Sequence, residues 1–183
     1  AVAQVTTTFT REEAIEAAVG AIAADALVVS TTGKISRELY EVRKRRGEGV
    51  RDFLTVGSMG HASQIALGIA TQKPERRVYC LDGDGATLMH LGGLATVGWV
   101  KPQNFVHIVL NNGAHESVGG QRSAAGFVDL PAVARACGYA QALRVTTKEE
   151  LVQALQSATS GPVFIEVVVN LSSRKDLVRP AET

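Results

Sequence analysis

The chain has 183 residues, 45% of them hydrophobic and 20% charged, and its 19 basic and 18 acidic side chains leave a formal net charge of +1. That length suits one domain, residues 1–183, with a full core over 10–169 and a polar tail over 170–183, while so small a charge makes no field for nucleic acid or a membrane surface. No apolar run approaches ~18 residues and no signal-peptide layout opens the chain, so the sequence reads as cytoplasmic and without a membrane span.

Helix and strand alternate along the chain. Residues 2–9 read as an extended lead-in, and Thr10-Arg11-Glu12-Glu13 is a capping box opening a helix that Ala14, Ile15, Ala17, Ala18, Val19 and Ile22 continue. Residues 27–30 form a short strand and 36–46 a second helix, whose Arg43-Lys44-Arg45-Arg46 run reads as a solvated helix end near the negative pole of the dipole. A brief strand at 53–56 precedes Gly57-Ser58-Met59-Gly60 and a helix over 62–71. Strands at 78–81 and 105–110 are apolar and rich in β-branched residues, as strands buried on both faces are. Between them 86–97 reads as one helix, stopped before Pro102. A long Gly-rich loop spans 113–122, then come a helix at 130–137, a strand at 142–145, a second capping box at Thr147-Lys148-Glu149-Glu150 with a helix to 158, and a buried strand at 163–169. Cys80 and Cys137 stand at no metal or redox spacing and read as small core hydrophobes of a reduced protein. Six strands with intervening helices predict an α/β fold, a doubly wound, mostly parallel six-stranded sheet.

In such a sheet, ligands sit where strands end. The βαβ unit over 78–110 brings Asp84 and Asn112 out side by side at one edge. A carboxylate, an amide oxygen and a backbone carbonyl from Gly113-Ala114 form a hard, all-oxygen set suited to magnesium. Gly83 and Gly85 allow a sharp turn, and the amides opening the next helix at Ala86 face an anion. A metal-bridged diphosphate fits this edge. Gly57-Ser58-Met59-Gly60 lets backbone approach a flat ligand while one apolar side chain projects. His115 and Glu116, beside the proposed metal, are proton-transfer candidates. His90 and His107 read as structural, and the spacing disfavours zinc, since no second His or Cys lies at ligand spacing.

Gly83-Asp84-Gly85, a 25-residue spacer and Asn111-Asn112 together resemble the cofactor motif of thiamine-diphosphate (ThDP) enzymes. The resemblance implies Mg2+ on Asp84, Asn112 and the Ala114 carbonyl, and a diphosphate beside Thr32 and Gly33. It makes Met59 the wedge that bends the cofactor, with the Gly57 carbonyl, Ser58 and the Met59 amide at the pyrimidine edge. Across 10–169, Thr31-Thr32-Gly33-Lys34, Gly57-Ser58-Met59-Gly60-His61 and Asn111-Asn112-Gly113-Ala114-His115-Glu116-Ser117 are similar to the decarboxylases of phosphonopyruvate and, next, of sulfopyruvate. What this implies is a non-oxidative carbon–carbon lyase for a small anionic 2-oxo acid, with His61, His115, Gln121 and Arg122 as candidates to hold its anion. Only the diphosphate-binding half of such an enzyme is represented, so a pyrimidine-binding α subunit or N-terminal domain is the expected partner, in an oligomer. Two other classes stay open. A Rossmann oxidoreductase would want Gly-x-Gly-x-x-Gly after the first strand, which Thr31–Ser36 lacks. A non-catalytic regulatory subunit would keep the fold and the cofactor but not turnover.

Overall fold

The computed structural model describes residues 7–49, 51–172, 174 and 176–180. Strands β1 (Leu27–Ser30), β2 (Phe53–Leu54), β3 (Val78–Gly83), β4 (Phe105–Asn111), β7 (Gln141–Val145) and β8 (Val163–Val168) form one sheet in the order β2-β1-β3-β4-β8-β7. Every pairing in it is parallel. A separate antiparallel pair, β5 (Ala114–His115) and β6 (Gln121–Arg122), lies beyond β4.

Parallel strands need crossovers, and helices supply them on both faces. Helices α1 (Arg11–Ala21), α2 (Lys34–Arg45) and α7 (Lys148–Ser157) pack one face, meeting Tyr79, Leu81, Val106, Ile108 and Ile165. Helices α3 (Ala62–Gln72), α5 (Gly93–Val100) and α6 (Leu130–Ala136) pack the other against Val78, Cys80, Phe105, Val109 and Phe164. Along β3 and β4 the apolar residues alternate by position between the two clusters, because both faces of these central strands are covered. Both capping boxes form: Thr10 and Thr147 accept from the Glu13 and Glu150 amides, and each glutamate returns to the cap amide.

Besides the short pair β5 and β6 inside the expected 113–122 loop, three segments differ from the sequence reading. The helix expected at 86–97 is two helices, α4 (Asp84–Met89) and α5, broken at His90, where φ is −127° and ψ 51°. The adjoining Gly92-Gly93 pair, with low helix propensity, is the local reason. The strand at 53–56 ends at Leu54, and Val56 is exposed. The arginine run is not simply solvated: Arg43 is buried and grips Asp52 through Nε (2.8 Å) and Nη2 (3.0 Å). Arg45 pairs with Glu12 and Arg46 with Glu48. Of the extended lead-in, residues 2–6 lie outside the described residues. Its end is tied down, since the Asn170 amide donates to the Phe9 carbonyl (2.9 Å) and Asn170 Nδ2 to that of Thr8 (3.0 Å).

Among the described residues no helix is long and apolar enough to cross a membrane.

Candidate active site

The strand order reverses at β1 and β3, since β2 lies on one side of β1 and all later strands on the other. A crevice opens at such a switch point, beyond the carboxyl ends of the strands. Here it is a cavity of about 440 Å³ walled by the segments after β1 (31–37), β2, β3 and β4, and by Arg179 and Pro180 of the tail. In the β3–β4 ladder Gly83 pairs with Leu110, so Asp84 and Asn112 emerge one and two residues past partnered positions. Both line the cavity, as do Thr32, Gly33, Met59, Gly83, Gly85, Ala86, Ala114, His115 and Glu116. Gly57 and Ser58 are exposed and outside its wall, like His61, Gln121 and Arg122.

The two asparagines have separate tasks. Asn111 Nδ2 donates to Glu166 Oε1 (2.6 Å), a buried carboxylate that Arg144 also holds, while Asn111 Oδ1 accepts the Gly113 amide. Asn111 therefore anchors the strand end. Asn112 faces the cavity, with Oδ1 accepting the Ala114 amide (3.1 Å) and Nδ2 donating to Glu116 Oε2 (3.1 Å). Glu116 also takes Arg11 Nη1 (2.6 Å) and lies 3.5 Å from Lys34 Nζ.

Asp84 is buried, and burial pushes its carboxyl above the ordinary range; the Ser123 hydroxyl, the Gly85 amide and His115 pull the other way. A carboxylate kept from water beside few cations is a group whose charged form a metal would stabilise. Gly85 carries no side chain for a visible reason: a Cβ there would stand 2.5 Å from the His115 imidazole and 3.4 Å from the Met59 methyl. The histidine and the thioether thus close on the backbone at one point. The segment after β4 also folds back on the loop after β1, since a Cβ on Gly33 would meet Ser117 Oγ at 2.8 Å.

The donor chemistry fits a metal-bridged diphosphate on an observation independent of the motif. Thr31, which lines the cavity, has a buried hydroxyl without a hydrogen-bond partner among the described residues. Buried hydroxyls are seldom left so, and an anion in the cavity would accept from it. The resemblance assigned the diphosphate to Thr32 rather than Thr31, but Thr32 spends its hydroxyl on the Val56 carbonyl (2.8 Å).

Beneath the cavity the sheet brings together three groups that sequence spacing kept apart. Cys80, Asp82 and His107 are fully buried with ligand atoms within 4.8 Å of one another. His107 spends both ring nitrogens, Nε2 on Asp82 (3.2 Å) and Nδ1 on the Tyr139 hydroxyl (3.2 Å). Burial pushes the Cys80 thiol well up, so it stays protonated. The trio is a satisfied polar strut, not a metal site.

Fold and site together define a class: the chain belongs to the thiamine pyrophosphate enzymes, residues 31–167 matching the family described as the C-terminal TPP binding domain. It is 47% identical over 176 residues to a phosphonopyruvate decarboxylase of Streptomyces viridochromogenes, a match covering 95% of this chain and 43% of that one. It is 43% identical over 159 residues to the sulfopyruvate decarboxylase subunit beta of Methanothermobacter thermautotrophicus, covering 87% of this chain and 81% of the subunit. The chain thus spans less than half of the first relative and most of the second. Benzoylformate decarboxylase from Polynucleobacter necessarius shares the fold, with a TM-score of 0.75 at 19% identity over 93% of this chain and 35% of that one.

Proposed function

We propose that the chain is the diphosphate-binding half of a ThDP- and Mg2+-dependent enzyme that decarboxylates a small 2-oxo acid bearing an anion on carbon 3, phosphonopyruvate ahead of sulfopyruvate. The observation carrying this reading is that Asp84, Asn112 and Ala114 share one cavity with Met59 and the partnerless Thr31 hydroxyl. The all-oxygen donor set favours magnesium: the Asp84 carboxylate, Asn112 Oδ1 and the Ala114 carbonyl would hold it. Thr32, Gly33 and the backbone of Gly83, Gly85 and Ala86 would take the diphosphate. Met59 would support the bent cofactor, with Gly57 and Ser58 reaching its pyrimidine edge from beside the cavity. When bound, ThDP supplies an electron sink for the pair left by departing carbon dioxide. The bond between the carboxylate and carbonyl carbons breaks, carbon dioxide leaves, and the former carbonyl carbon takes up one proton, so phosphonopyruvate gives phosphonoacetaldehyde. His115, whose ring packs at Gly85 on the cavity wall, would deliver that proton.

The cavity's carboxylates, among the described residues, are Asp84 and Glu116. Glu116 is held by Arg11, Asn112 and Lys34, so neither carboxylate is available to activate the cofactor. This supports a pyrimidine-binding partner, subunit or domain, as does the similarity to a relative named as a subunit beta. The active form is then an oligomer with its sites between polypeptides, and its two free cysteines favour the cytoplasm.

The cavity's cations suggest where the substrate anion sits. Arg11 pairs with Glu38 and Glu116, and Lys34 with Glu116. Arg37 and Arg179 line the same cavity and have no carboxylate partner among the described residues. Guanidinium suits a phosphonate or sulfonate through paired donors. The deciding experiment assays the assembled enzyme with phosphonopyruvate, sulfopyruvate and pyruvate. We expect phosphonopyruvate to be preferred, and Arg179→Ala to raise KM for it about tenfold while sparing pyruvate, the worth of one charge-assisted hydrogen bond. A preference for pyruvate removes the anion seat, and cofactor binding without turnover makes the chain a regulatory subunit.

A further inference from the structure

A buried ionic chain links the site to the helices behind it. Arg11, the first residue of α1, is almost fully buried and clasps Glu38 of α2 with Nε and Nη2, both at 2.7 Å. Its remaining nitrogen, Nη1, reaches Glu116 Oε2 at 2.6 Å. The same Oε2 accepts Asn112 Nδ2 at 3.1 Å, and Lys34 Nζ stands 3.5 Å from Oε1. Three elements therefore converge on one carboxylate, which touches the amide of a proposed metal ligand. Arg11 lies outside the stretch matched to the family, 31–167.

An asparagine amide has two faces with opposite chemistry. Nδ2 only donates and Oδ1 only accepts, and a cation can bind the oxygen alone. Rotated by half a turn, Asn112 would turn its nitrogen to the cavity and lose its metal affinity. The Ala114 amide fixes one side of the choice by donating to Oδ1. Glu116 fixes the other, because a carboxylate accepts from Nδ2 and repels Oδ1. Oδ1 has two lone pairs, of which the Ala114 amide takes one.

We propose that Glu116, held by Arg11 and Lys34, is a positioning residue that locks the Asn112 amide with its oxygen toward the metal. This rests on the ThDP and magnesium reading above. It assigns Glu116 a task other than proton transfer: the carboxylate works through Asn112. Outer partners of metal ligands are worth about 10–100-fold in metal affinity when removed.

The test is a Mg2+ titration, by calorimetry at saturating ThDP, of the 183-residue chain and its variants. We expect Glu116→Ala to weaken Mg2+ at least tenfold, and Glu116→Gln, which keeps an acceptor oxygen for Asn112, to recover most of the loss. On an Asn112→Ala background, Glu116→Ala should cost nothing further, since the amide it orients is gone. A purely structural role for Glu116 would instead lower the melting temperature in both backgrounds and leave Mg2+ affinity unchanged. Unaltered Mg2+ binding in Glu116→Ala, or a loss that adds fully to that of Asn112→Ala, overturns the proposal while the cofactor reading stands. Absence of Mg2+-dependent binding in the unaltered chain removes the cofactor reading and the proposal together.

Discussion

Two aspartates two positions apart, Asp82 and Asp84, show how little residue type alone decides. Asp82 ends inside the sheet, where Thr87, His107 and the Gly83 amide satisfy it. Asp84 opens α4 at the cavity and stays short of positive charge. Asp84→Ala should abolish Mg2+-dependent ThDP binding in a calorimetric titration while the melting temperature stays within a few degrees, because the burial of this carboxyl opposes its charged form and so contributes no stability at neutral pH. The sign follows from the direction of the shift: the native form holds the proton more tightly than the unfolded chain, so this carboxyl's contribution weakens as pH rises through its raised value. Undiminished cofactor affinity would refute the metal assignment. Met59→Ala makes a contrasting case. It should keep most of the diphosphate affinity yet lose about 100-fold in turnover of the assembled enzyme, as a displacement near 1 Å can. Equal losses in binding and rate would make Met59 a packing residue. Asp84, Asn112 and Met59 were legible in the sequence because short motifs fix them locally. Arg11 and Glu116 were not, since each acquires its meaning from a partner that only the folded chain brings near, and Thr31 was not, since only the fold buries its hydroxyl without a partner among the described residues.

At the scale of elements, capping boxes and apolar runs marked the order of helices and strands, and what they missed is either a local breaker or a tertiary contact. The break between α4 and α5 is of the first kind. The close approach of α5 to the turn after α6, which no periodicity announces, is of the second. A Cβ on Gly98 would stand 1.8 Å from the Cys137 carbonyl oxygen, and Gly138 faces Gly98 from the other side. Backbone meets backbone there, so no side chain can rotate away. Gly98→Ala should therefore destabilise the fold by about 1–3 kcal/mol, the usual cost of forcing atoms into a packed interior, despite alanine's better helix propensity. Urea denaturation with an unchanged midpoint would show that α5 can slide without cost. The 113–122 segment was read as a loop because strands of two residues leave no pattern; its Ala114 pairs with Arg122 and donates its amide to Asn112 Oδ1.

For the molecule as a whole, the cavity reads as half of a site. Val56 and Val118 line it while 82% and 74% exposed, an apolar rim open to water. Of its carboxylates among the described residues, Asp84 stands in the proposed metal position and Glu116 pairs with Arg11. Purified alone at saturating ThDP and magnesium, the chain should give no decarboxylation above background, and adding a pyrimidine-binding partner should restore it. Steady turnover by the isolated chain would overturn the two-part arrangement and point to an acid within these residues. The doubly wound sheet was legible because strand and helix alternate so regularly. The proposal of a partner came through the resemblance, and the hydrogen-bonded Glu116 supports it.

The hydrogen bond between Phe9 and Asn170 joins the two ends of the folded unit at one seam. A polypeptide that enters and leaves a domain at the same point can be tethered from either side without changing where the tether starts. A flexible connector of given length then reaches the same neighbouring surface whether it precedes residue 9 or follows residue 170. The cavity draws on both sides of that seam, since Arg11 follows it and Arg179 and Pro180 lie beyond it, so a connector on either side is continuous with the cavity wall.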